Sequence, residues 1–253
     1  MILVDMNQVT ISNLMIQMKN EPLSVDLVRH LVLNSIRSYR TKFFNEFGEL
    51  ILCYDDKHYW RRDLFPYYKS NRKKDRTESN LNWNELFETL NLIRDELKET
   101  FPYKVLQVDG AEADDIIATI VNLVSKTPNL FEKILIMSGD KDFIQLQTHE
   151  NVQQYSPTLK KFINGVDPNT YKIEHIFKGD RGDGIPNILS PDNTFVEGLR
   201  QKPLGKNKID SWKQVGTWPI DDWNEEIKRN YQRNCKLIDL DLIPSHIRDT
   251  IYY

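Results

Sequence analysis

The chain has 253 residues, of which 40% are hydrophobic and 28% are charged, with a formal net charge of −3. No apolar run approaches a membrane span, and the first residues have neither the basic start nor the apolar core of a signal peptide. Its two cysteines, Cys53 and Cys235, are too few for a disulfide framework, so we expect a reducing compartment, the cytoplasm, and no membrane partner.

The first part of the chain predicts two strands and one long helix. Residues 2–4 are an aliphatic run typical of a buried strand, and a polar stretch then continues to Pro22. Ser24 has the side chain and the position of a helix N-cap. Residues 50–54 form the second aliphatic run. The helix between them has an apolar stripe at helical spacing, formed by Leu27, Val28, Leu31, Val32 and Ile36.

A strongly basic segment follows the second strand. Its basic residues outnumber its acidic ones, Asp63 and Asp75, by eight to two. Interleaved aromatic residues favour a nucleic-acid partner for it, although a charge run is more commonly a solvated helix face, and the aromatic rings are expected mainly to pack. The basic residues are Lys57, Arg61, Arg62, Lys69, Arg72, Lys73, Lys74 and Arg76.

The middle of the chain alternates helices with strands, which predicts right-handed βαβ units and a mostly parallel sheet. The alternation stops near Asp167, so we expect an α/β domain over residues 1–165 and a smaller helical domain over residues 166–253. The alternating elements are a helix over 83–101, a strand over 104–108, a helix over about 114–124 and a strand over 134–137.

Each of the four predicted strands leads into carboxylates. In a parallel sheet the carboxyl ends of the strands meet at one edge, so these acids should converge there. A single Asp after a strand is ordinary turn chemistry, but two doubled pairs in addition to two single acids are hard to explain as turns. Clustered carboxylates repel each other unless a cation lies among them, and oxygen ligands suit Mg²⁺ or Mn²⁺. The acids are Asp5, Asp55, Glu112, Asp114, Asp140 and Asp142.

The second half contains one further informative stretch, Phe177–Asn187, which is rich in glycine. We expect a tight turn between two short helices, whose backbone N–H groups could meet a phosphate. Many helix–turn–helix connections have a similar composition, so the turn alone does not assign a ligand.

Together these segments resemble the flap-endonuclease family of 5′-to-3′ nucleases, and most of all its T-even bacteriophage ribonuclease H branch. The Glu-Ala-Asp-Asp and Gly-Asp-x-Asp-Phe motifs, at this separation, are highly specific to it, whereas residues 190–216 match poorly. The matching segments occur in the family's order and are Leu3–Asp5, Val28–Ile36, Tyr59–Asp63, Tyr67–Arg72, Glu112–Asp115, Ser138–Phe143, Lys178–Asp183 and Leu237–Asp239.

The resemblance implies a fold and a set of metal ligands. The fold would be an α/β, PIN-like, mostly parallel sheet flanked by helices, with an arch over about residues 57–80 and a smaller helical domain that contains a helix–three-turn–helix. Asp115 and Asp180 would lie in the outer shell of two metal ions. One ion would be held by Asp5, Asp55, Glu112 and Asp114, and the other by Asp140, Asp142 and Asp183.

The resemblance also implies roles for residues that contact the substrate. Lys69 and Arg72 would contact the scissile phosphate and act in catalysis together with the metal-bound Asp55 and Asp140, and Tyr68 would stack on a terminal base. Further nucleic-acid contacts would come from Arg61, Arg62, Lys73, Lys74, Lys178, Gly182 and Gly184.

The activity implied is hydrolysis near 5′ ends or flaps of DNA and of RNA paired to DNA, with two Mg²⁺ per site and Mn²⁺ as a substitute. A phage member would remove RNA primers from lagging-strand fragments in the host cytoplasm, as a monomer, with single-stranded-DNA-binding protein and a sliding clamp as partners. Two alternatives stay open: a PIN-type ribonuclease on structured or messenger RNA, and a catalytically inactive protein that binds forked DNA.

Overall fold

The computed structural model describes residues 1–17, 24–77, 81–130, 132–214 and 223–253, which form two compact units. Unit 1 comprises Met1–Tyr59, Leu81–Val166 and Pro244–Tyr253, and unit 2 comprises Trp60–Asn80 and Asp167–Ile243. The basic segment from Arg61 onward therefore belongs to unit 2, whereas Lys57 and the last ten residues belong to unit 1. The functional domains 1–165 and 166–253 stay a prediction. Among the described residues, no helix has the length and apolar character that crossing a membrane requires.

Unit 1 is built on a six-stranded sheet in the order β3-β2-β1-β4-β5-β6. The first five strands in this order are parallel and only β6 is antiparallel, so the expected mostly parallel α/β sheet is confirmed. The strands are β1 (Ile2–Asp5), β2 (Leu50–Tyr54), β3 (Lys104–Gln107), β4 (Ile134–Met137), β5 (Val152–Ser156) and β6 (Lys161–Ile163).

The helices of both units are amphipathic or short. Segments of 3-10 helix cover Pro128–Leu130, Lys141–Thr148 and Leu240–Leu242. The α-helices of the described residues are α1 (Met6–Gln17), α2 (Val25–Phe47), α3 (Trp60–Leu64), α4 (Asn71–Thr77), α5 (Trp83–Thr100), α6 (Ala113–Lys126), α7 (Pro168–Lys178), α8 (Lys206–Gln214), α9 (Glu225–Ile238) and α10 (Ser245–Tyr252).

The core of unit 1 lies on both faces of the sheet. Every residue of β4 and the first three of β1 have 0% exposure, as expected for strands covered on both sides. On α2 the predicted stripe is confirmed, because Val28, Val32 and Ile36 are buried, and Ser24 is its N-cap, with Oγ accepting a hydrogen bond from Leu27 N.

The polar stretch expected after the first strand is wrong in part, because residues 6–17 form α1. Met6, Val9 and Leu14 are buried at helical spacing among Asn, Gln and Ser residues. Three apolar side chains among so many polar ones give a weak pattern in the sequence, and their contact with the sheet and with α2 stabilises the helix.

The strands β5 and β6 were not anticipated either. In β5, polar Gln153 and Gln154 interrupt the apolar residues, so the aliphatic run that marked the other strands is missing. Gln154 is nevertheless buried, with 1% exposure, because its side chain is used in hydrogen bonds described below.

Unit 2 contains the glycine-rich turn that was expected after α7. Residues Asp180 and Ile185 form an isolated antiparallel bridge, with Ile185 N donating to Asp180 O at 2.7 Å. Two fully buried asparagines of α9 hold this region, since Asn234 Nδ2 donates to Ile176 O and Pro186 O, and Asn230 Nδ2 donates to Ile188 O and Ser190 O. The tight turn is thus present in the structure.

The short helix expected directly after the turn is wrong. Residues 189–198 form successive turns, and the next helix is α8. The Asn187 side chain stabilises these turns through three hydrogen bonds. Its Oδ1 accepts from Leu189 N and Ser190 Oγ, and its Nδ2 donates to Lys202 O. A side chain that satisfies several backbone groups locally competes with helix formation.

Gly179 and Gly165 provide a matched test of the turn. Both have positive φ, but a Cβ at Gly179 would lie 2.3 Å from Ile185 O, whereas a Cβ at Gly165 would meet nothing within 4 Å. We expect Gly165→Ala to cost about 1–2 kcal/mol of unfolding free energy from backbone strain, and Gly179→Ala to cost more than about 4 kcal/mol. Chemical denaturation of both variants measures this, and equal losses would contradict the close packing of the turn.

Candidate active site

Six acids lie at the carboxyl edge of the sheet in unit 1. The strands β3, β2, β1 and β4 are consecutive parallel neighbours, so the segments that follow them leave the sheet side by side. This confirms that the four acid-tipped strands are parallel and adjacent. The acids are Asp5 at the end of β1, Asp55 after β2, Glu112 and Asp114 after β3, and Asp140 and Asp142 after β4.

Asp5 is at the centre of this edge and is only 4% exposed. Its Oδ1 accepts from Gln8 N at 3.1 Å and its Oδ2 accepts from Ser138 Oγ at 2.9 Å. Burial first, and then the negative charges of Asp55 and Asp140, raise the pKa of Asp5 to about 7, against the two hydrogen bonds, which lower it. The acids after β1, β2 and β4 are therefore close enough to repel one another.

The start of α6 supplies the next acids. Asp55 Oδ1 accepts from Ala113 N at 2.8 Å, which ties the acid after β2 to this helix N-terminus. Glu112 is the N-cap residue and is 1% exposed. Burial first, and then the negative charges of Asp5 and Asp114, raise the pKa of the Cys53 thiol. Asp114 therefore lies near Cys53. Cys53 itself is a core residue, as expected.

Asp115 serves as a helix cap. It is completely buried, and its Oδ2 accepts from Glu112 N at 3.0 Å in a reciprocal capping box. This contact fixes the backbone that carries Glu112, whereas the outer-shell metal role expected for Asp115 stays a prediction.

The acids after β4 are held by residues that sequence reasoning missed. Asp140 Oδ1 accepts from Asp142 N, and Asp140 N donates to Ser138 Oγ at 3.1 Å. Gln154 Nε2 donates to the carbonyl oxygens of Ser138 and Asp140, and Gln8 Oε1 accepts from Gly139 N. Ser138 lies within Ser138–Phe143, one of the segments that match the family. Gln8 and Gln154 lie on α1 and β5, two elements that the sequence pattern did not predict.

A second group of predicted residues converges within unit 2, on Asp183. Its Oδ2 accepts from the Tyr68 hydroxyl at 3.0 Å and lies 3.7 Å from Lys69 Nζ, and its Oδ1 accepts from Arg72 Nη2 at 2.5 Å. Asp180 Oδ1 accepts from Asp183 N at 3.1 Å. Burial opposes ionisation of Asp180, but His175 and the backbone N–H groups outweigh it and lower the pKa of Asp180.

Three expected nucleic-acid contacts are corrected by burial. Arg61 is 2% exposed, lies over the Trp60 ring and donates from Nε to Leu237 O, so it is a packing residue. Tyr68 is 3% exposed, so no face of its ring is offered to a base. Gly184 is buried and leaves no room for a Cβ, which would lie 2.9 Å from Tyr67 O, so it allows close chain packing.

The remaining predicted contacts differ in their surroundings. Arg62, Lys178 and Gly182 are exposed, and Lys178 forms an ion pair with Glu174. The side chains of Lys73 and Lys74 lie outside the described residues. The roles of these residues, and the metal set that joins Asp183 to Asp140 and Asp142, stay predictions.

The comparison with known proteins agrees with this architecture. Residues 15–176 match the model of the 5′-3′ exonuclease N-terminal, resolvase-like domain. The chain is also 35% identical to ribonuclease H of enterobacteria phage T4 over 264 aligned positions, which cover 99% of the chain and 85% of that protein. The chain belongs to the 5′-3′ exonuclease family.

Two further proteins that are similar to this chain extend the comparison. Flap endonuclease Xni of Shewanella sp. strain MR-4 is 32% identical over 51% of the chain, and the match spans about half of its own length, 48%. The D15 flap endonuclease of bacteriophage T5, in a complex with DNA and metal ions, superposes with a TM-score of 0.73 at 20% identity and covers 99% of this chain and 95% of its own. These matches confirm the family and the PIN-like α/β fold that the sequence motifs indicated.

Asp5 gives the site a testable pH dependence. Because its folded-state pKa is raised from 3.8 to about 7, its contribution to stability is present at low pH and is lost as the pH rises through this interval. We expect Asp5→Asn to stabilise the protein in EDTA by at least about 1 kcal/mol more at pH 8 than at pH 5, since one unit of pKa corresponds to about 1.4 kcal/mol. Denaturation midpoints at the two pH values measure the difference.

The control for this experiment is Asp249→Asn on α10, which removes an exposed carboxylate far from the sheet edge in sequence. An Asp5→Asn effect of the same size at both pH values, or no larger than that of the control, would contradict the raised pKa of Asp5.

Proposed function

We propose that this protein is a divalent-metal-dependent 5′-to-3′ nuclease that hydrolyses phosphodiester bonds near the 5′ ends of DNA or RNA–DNA duplexes. The observation that carries the proposal is the convergence of six acids on the carboxyl edge of four adjacent parallel strands, and the raised pKa of Asp5, caused by burial and by the charges of Asp55 and Asp140, agrees with it. Acids that are packed so closely that they resist ionisation are well suited to a bound cation.

The chemistry of the donor set supports magnesium. The six acids offer only carboxylate oxygens, the hard ligands that Mg²⁺ and Mn²⁺ prefer. Asp5, Asp55, Glu112 and Asp114 would hold one ion. A pair of such ions, when bound, stabilises the attacking and the leaving oxygen of phosphodiester hydrolysis. A T5 relative has been crystallised with metal ions, which is in keeping with this proposal.

The chain's own residues would prepare the site for that ion. Ser138, Gln8 and Gln154 fix the acids of β1 and β4, and the Asp115 cap fixes Glu112. Because these hydrogen bonds are made to backbone and carboxylate groups before any cation binds, little reorganisation is needed on binding. Asp115 would thus act as a positioning residue.

Lys69 and Arg72 would bind the phosphate that is cleaved. Positive charge aimed at the phosphate stabilises the negative charge that accumulates during the reaction. Lys69 Nζ and Arg72 Nη2 already bind one anionic group, the Asp183 carboxylate, so their donors are oriented toward a common point. The two side chains would act as a unit on one anion.

The biological role we propose is removal of RNA primers from lagging-strand fragments in phage DNA replication. Its support is the match to a phage ribonuclease H over 99% of the chain, together with the flap endonucleases among the relatives. The substrates would be 5′ flaps and RNA–DNA hybrids, and single-stranded-DNA-binding protein and a sliding clamp would be partners in the host cytoplasm.

Substitution of single acids tests the mechanism. We expect Asp55→Asn and Asp140→Asn to lower kcat on a 5′-flap substrate by at least about 10²–10³-fold while DNA binding changes little, because each removes a ligand charge without a change of shape. Asp56→Asn is the matched control: its carboxylate follows the same strand but accepts from His58 N and Gln107 Nε2. Cleavage by Asp140→Asn equal to that of the wild type would end the proposal.

Metal removal and substrate choice separate this function from its competitors. We expect no cleavage in EDTA, recovery on addition of Mg²⁺ or Mn²⁺, and products released from the 5′ end of a flap and of an RNA–DNA hybrid, each labelled at both ends. A plain single strand is the third substrate. Tight binding of the flap without turnover in either metal would indicate an inactive DNA-binding protein, and preferential cleavage of structured RNA would indicate a PIN-type ribonuclease.

A further inference from the structure

Within unit 2, one carboxylate contacts Tyr68, Lys69 and Arg72, three of the residues that the family resemblance assigns to the substrate. Asp183 accepts from Tyr68 and from Arg72 and lies 3.7 Å from the Lys69 ammonium. The Asp183 side chain is 15% exposed and that of Lys69 is 8% exposed, so water screens this ion pair only weakly. Such a contact is stronger than an ordinary surface salt bridge.

The backbone holds the two partners together. Lys69 N donates to Asp183 O at 2.8 Å, and Asn71 Nδ2 donates to Arg181 O at 2.8 Å. Arg72 Nε lies 3.4 Å from Gly182 O. The segment Tyr67–Arg72 is therefore attached to the turn by main-chain contacts as well as by the charged side chains.

Lys69 is also conformationally strained. Its φ is 55°, in the left-handed region that a residue with a long side chain rarely adopts. Strain of this kind costs on the order of 1–3 kcal/mol and is retained where the surroundings over-determine the backbone, often at ligand-binding positions. The ion pair with Asp183 and the backbone hydrogen bond to it supply that constraint.

A carboxylate and a phosphate offer similar groups to these donors. Both present anionic oxygens at hydrogen-bond distance to a guanidinium or an ammonium group. A phosphate that approaches Lys69 and Arg72 therefore competes with the Asp183 carboxylate for the positive charge of both side chains.

We propose that Asp183 is an internal competitor of the substrate phosphate, which holds Lys69 and Arg72 in the metal-free protein and lowers its affinity for DNA. The inference rests on the proposed function, because it takes these two cations as phosphate ligands. It adds a means of regulation: any cation bound by Asp183 would weaken its hold on the arch residues, so metal binding and phosphate binding would reinforce each other.

Equilibrium binding without metal tests the competition directly. In EDTA, with a fluorescent 5′-flap DNA, we expect Asp183→Asn to bind roughly three- to thirty-fold more tightly than the wild type, because the ion pair with Lys69 and the charged hydrogen bond from Arg72 are lost. Asp63→Asn, at an exposed position of α3 in the same unit, removes the same charge and controls for general attraction to DNA. Equal tightening by the two variants would overturn the proposal.

A double-mutant cycle identifies the residues that respond. Arg72→Gln should weaken metal-free binding more in the Asp183→Asn background than in the wild type, where Arg72 is engaged by Asp183, and should remove most of the gain that Asp183→Asn produces. An effect of equal size in both backgrounds would also overturn the proposal.

Tyr68→Phe keeps the result decisive if Asp183→Asn does not fold, which thermal denaturation detects. The variant retains the buried ring and loses only the hydroxyl that donates to Asp183. We expect it to tighten metal-free binding by roughly two- to five-fold, whereas a weaker affinity would contradict the competition. Because these readouts are taken in EDTA, their failure is distinct from a failure of the wild type to cleave DNA in Mg²⁺.

Discussion

The mutual repulsion of carboxylates at the carboxyl edge of the sheet is the constraint on which the rest of unit 1 depends. Asp5 is buried beside Asp55 and Asp140, and burial first and then these negative charges raise its pKa. A site of this kind persists only where the surrounding structure is stable enough to bear its cost. The strands β1 and β4, buried on both faces, provide that stability, and donors such as Ser138 restrict how far the acids can move apart.

Unit 2 contains the opposite arrangement of charge. There a single carboxylate, Asp183, is surrounded by Arg72, Lys69 and a tyrosine hydroxyl, so the local excess is of positive charge and donors. In both units backbone contacts hold the segments that carry the charged groups. These contacts are the helix cap at Glu112 in unit 1 and the bridge between Asp180 and Ile185 in unit 2. Preorganisation by main-chain contacts is what lets like charges, or competing donors, stay in place.

Much of the fold and of the acidic edge could be predicted from the sequence. The same physical reasons explain why some elements and some buried residues could not be predicted. Uninterrupted aliphatic runs such as residues 134–137 mark strands buried on both faces, and parallel pairing then places the following acids at one edge. The helix α1 and the strand β5 were not predicted because some of their polar residues are used inside the fold. Gln154, for example, is buried because its amide donates to the carbonyl oxygens of Ser138 and Asp140 and its Oε1 accepts from Gln147 Nε2. Burial of Arg61, Tyr68 and Gly184 depends on distant contacts such as Leu237 O, which no local pattern encodes.

The two electrostatic imbalances have a common consequence for a metal-free protein. In unit 1, without a bound cation, protonation of Asp5 would relieve part of the imbalance and would make the edge sensitive to pH near neutrality. In unit 2, Asp183 contacts Lys69 and Arg72 and would compete with DNA for them under the proposed function. A divalent ion would act on both imbalances in the same direction, since it would replace the proton at the acids and compete for the carboxylate that contacts Lys69 and Arg72. Affinity for DNA should therefore rise together with metal occupancy, because each event removes an obstacle to the other.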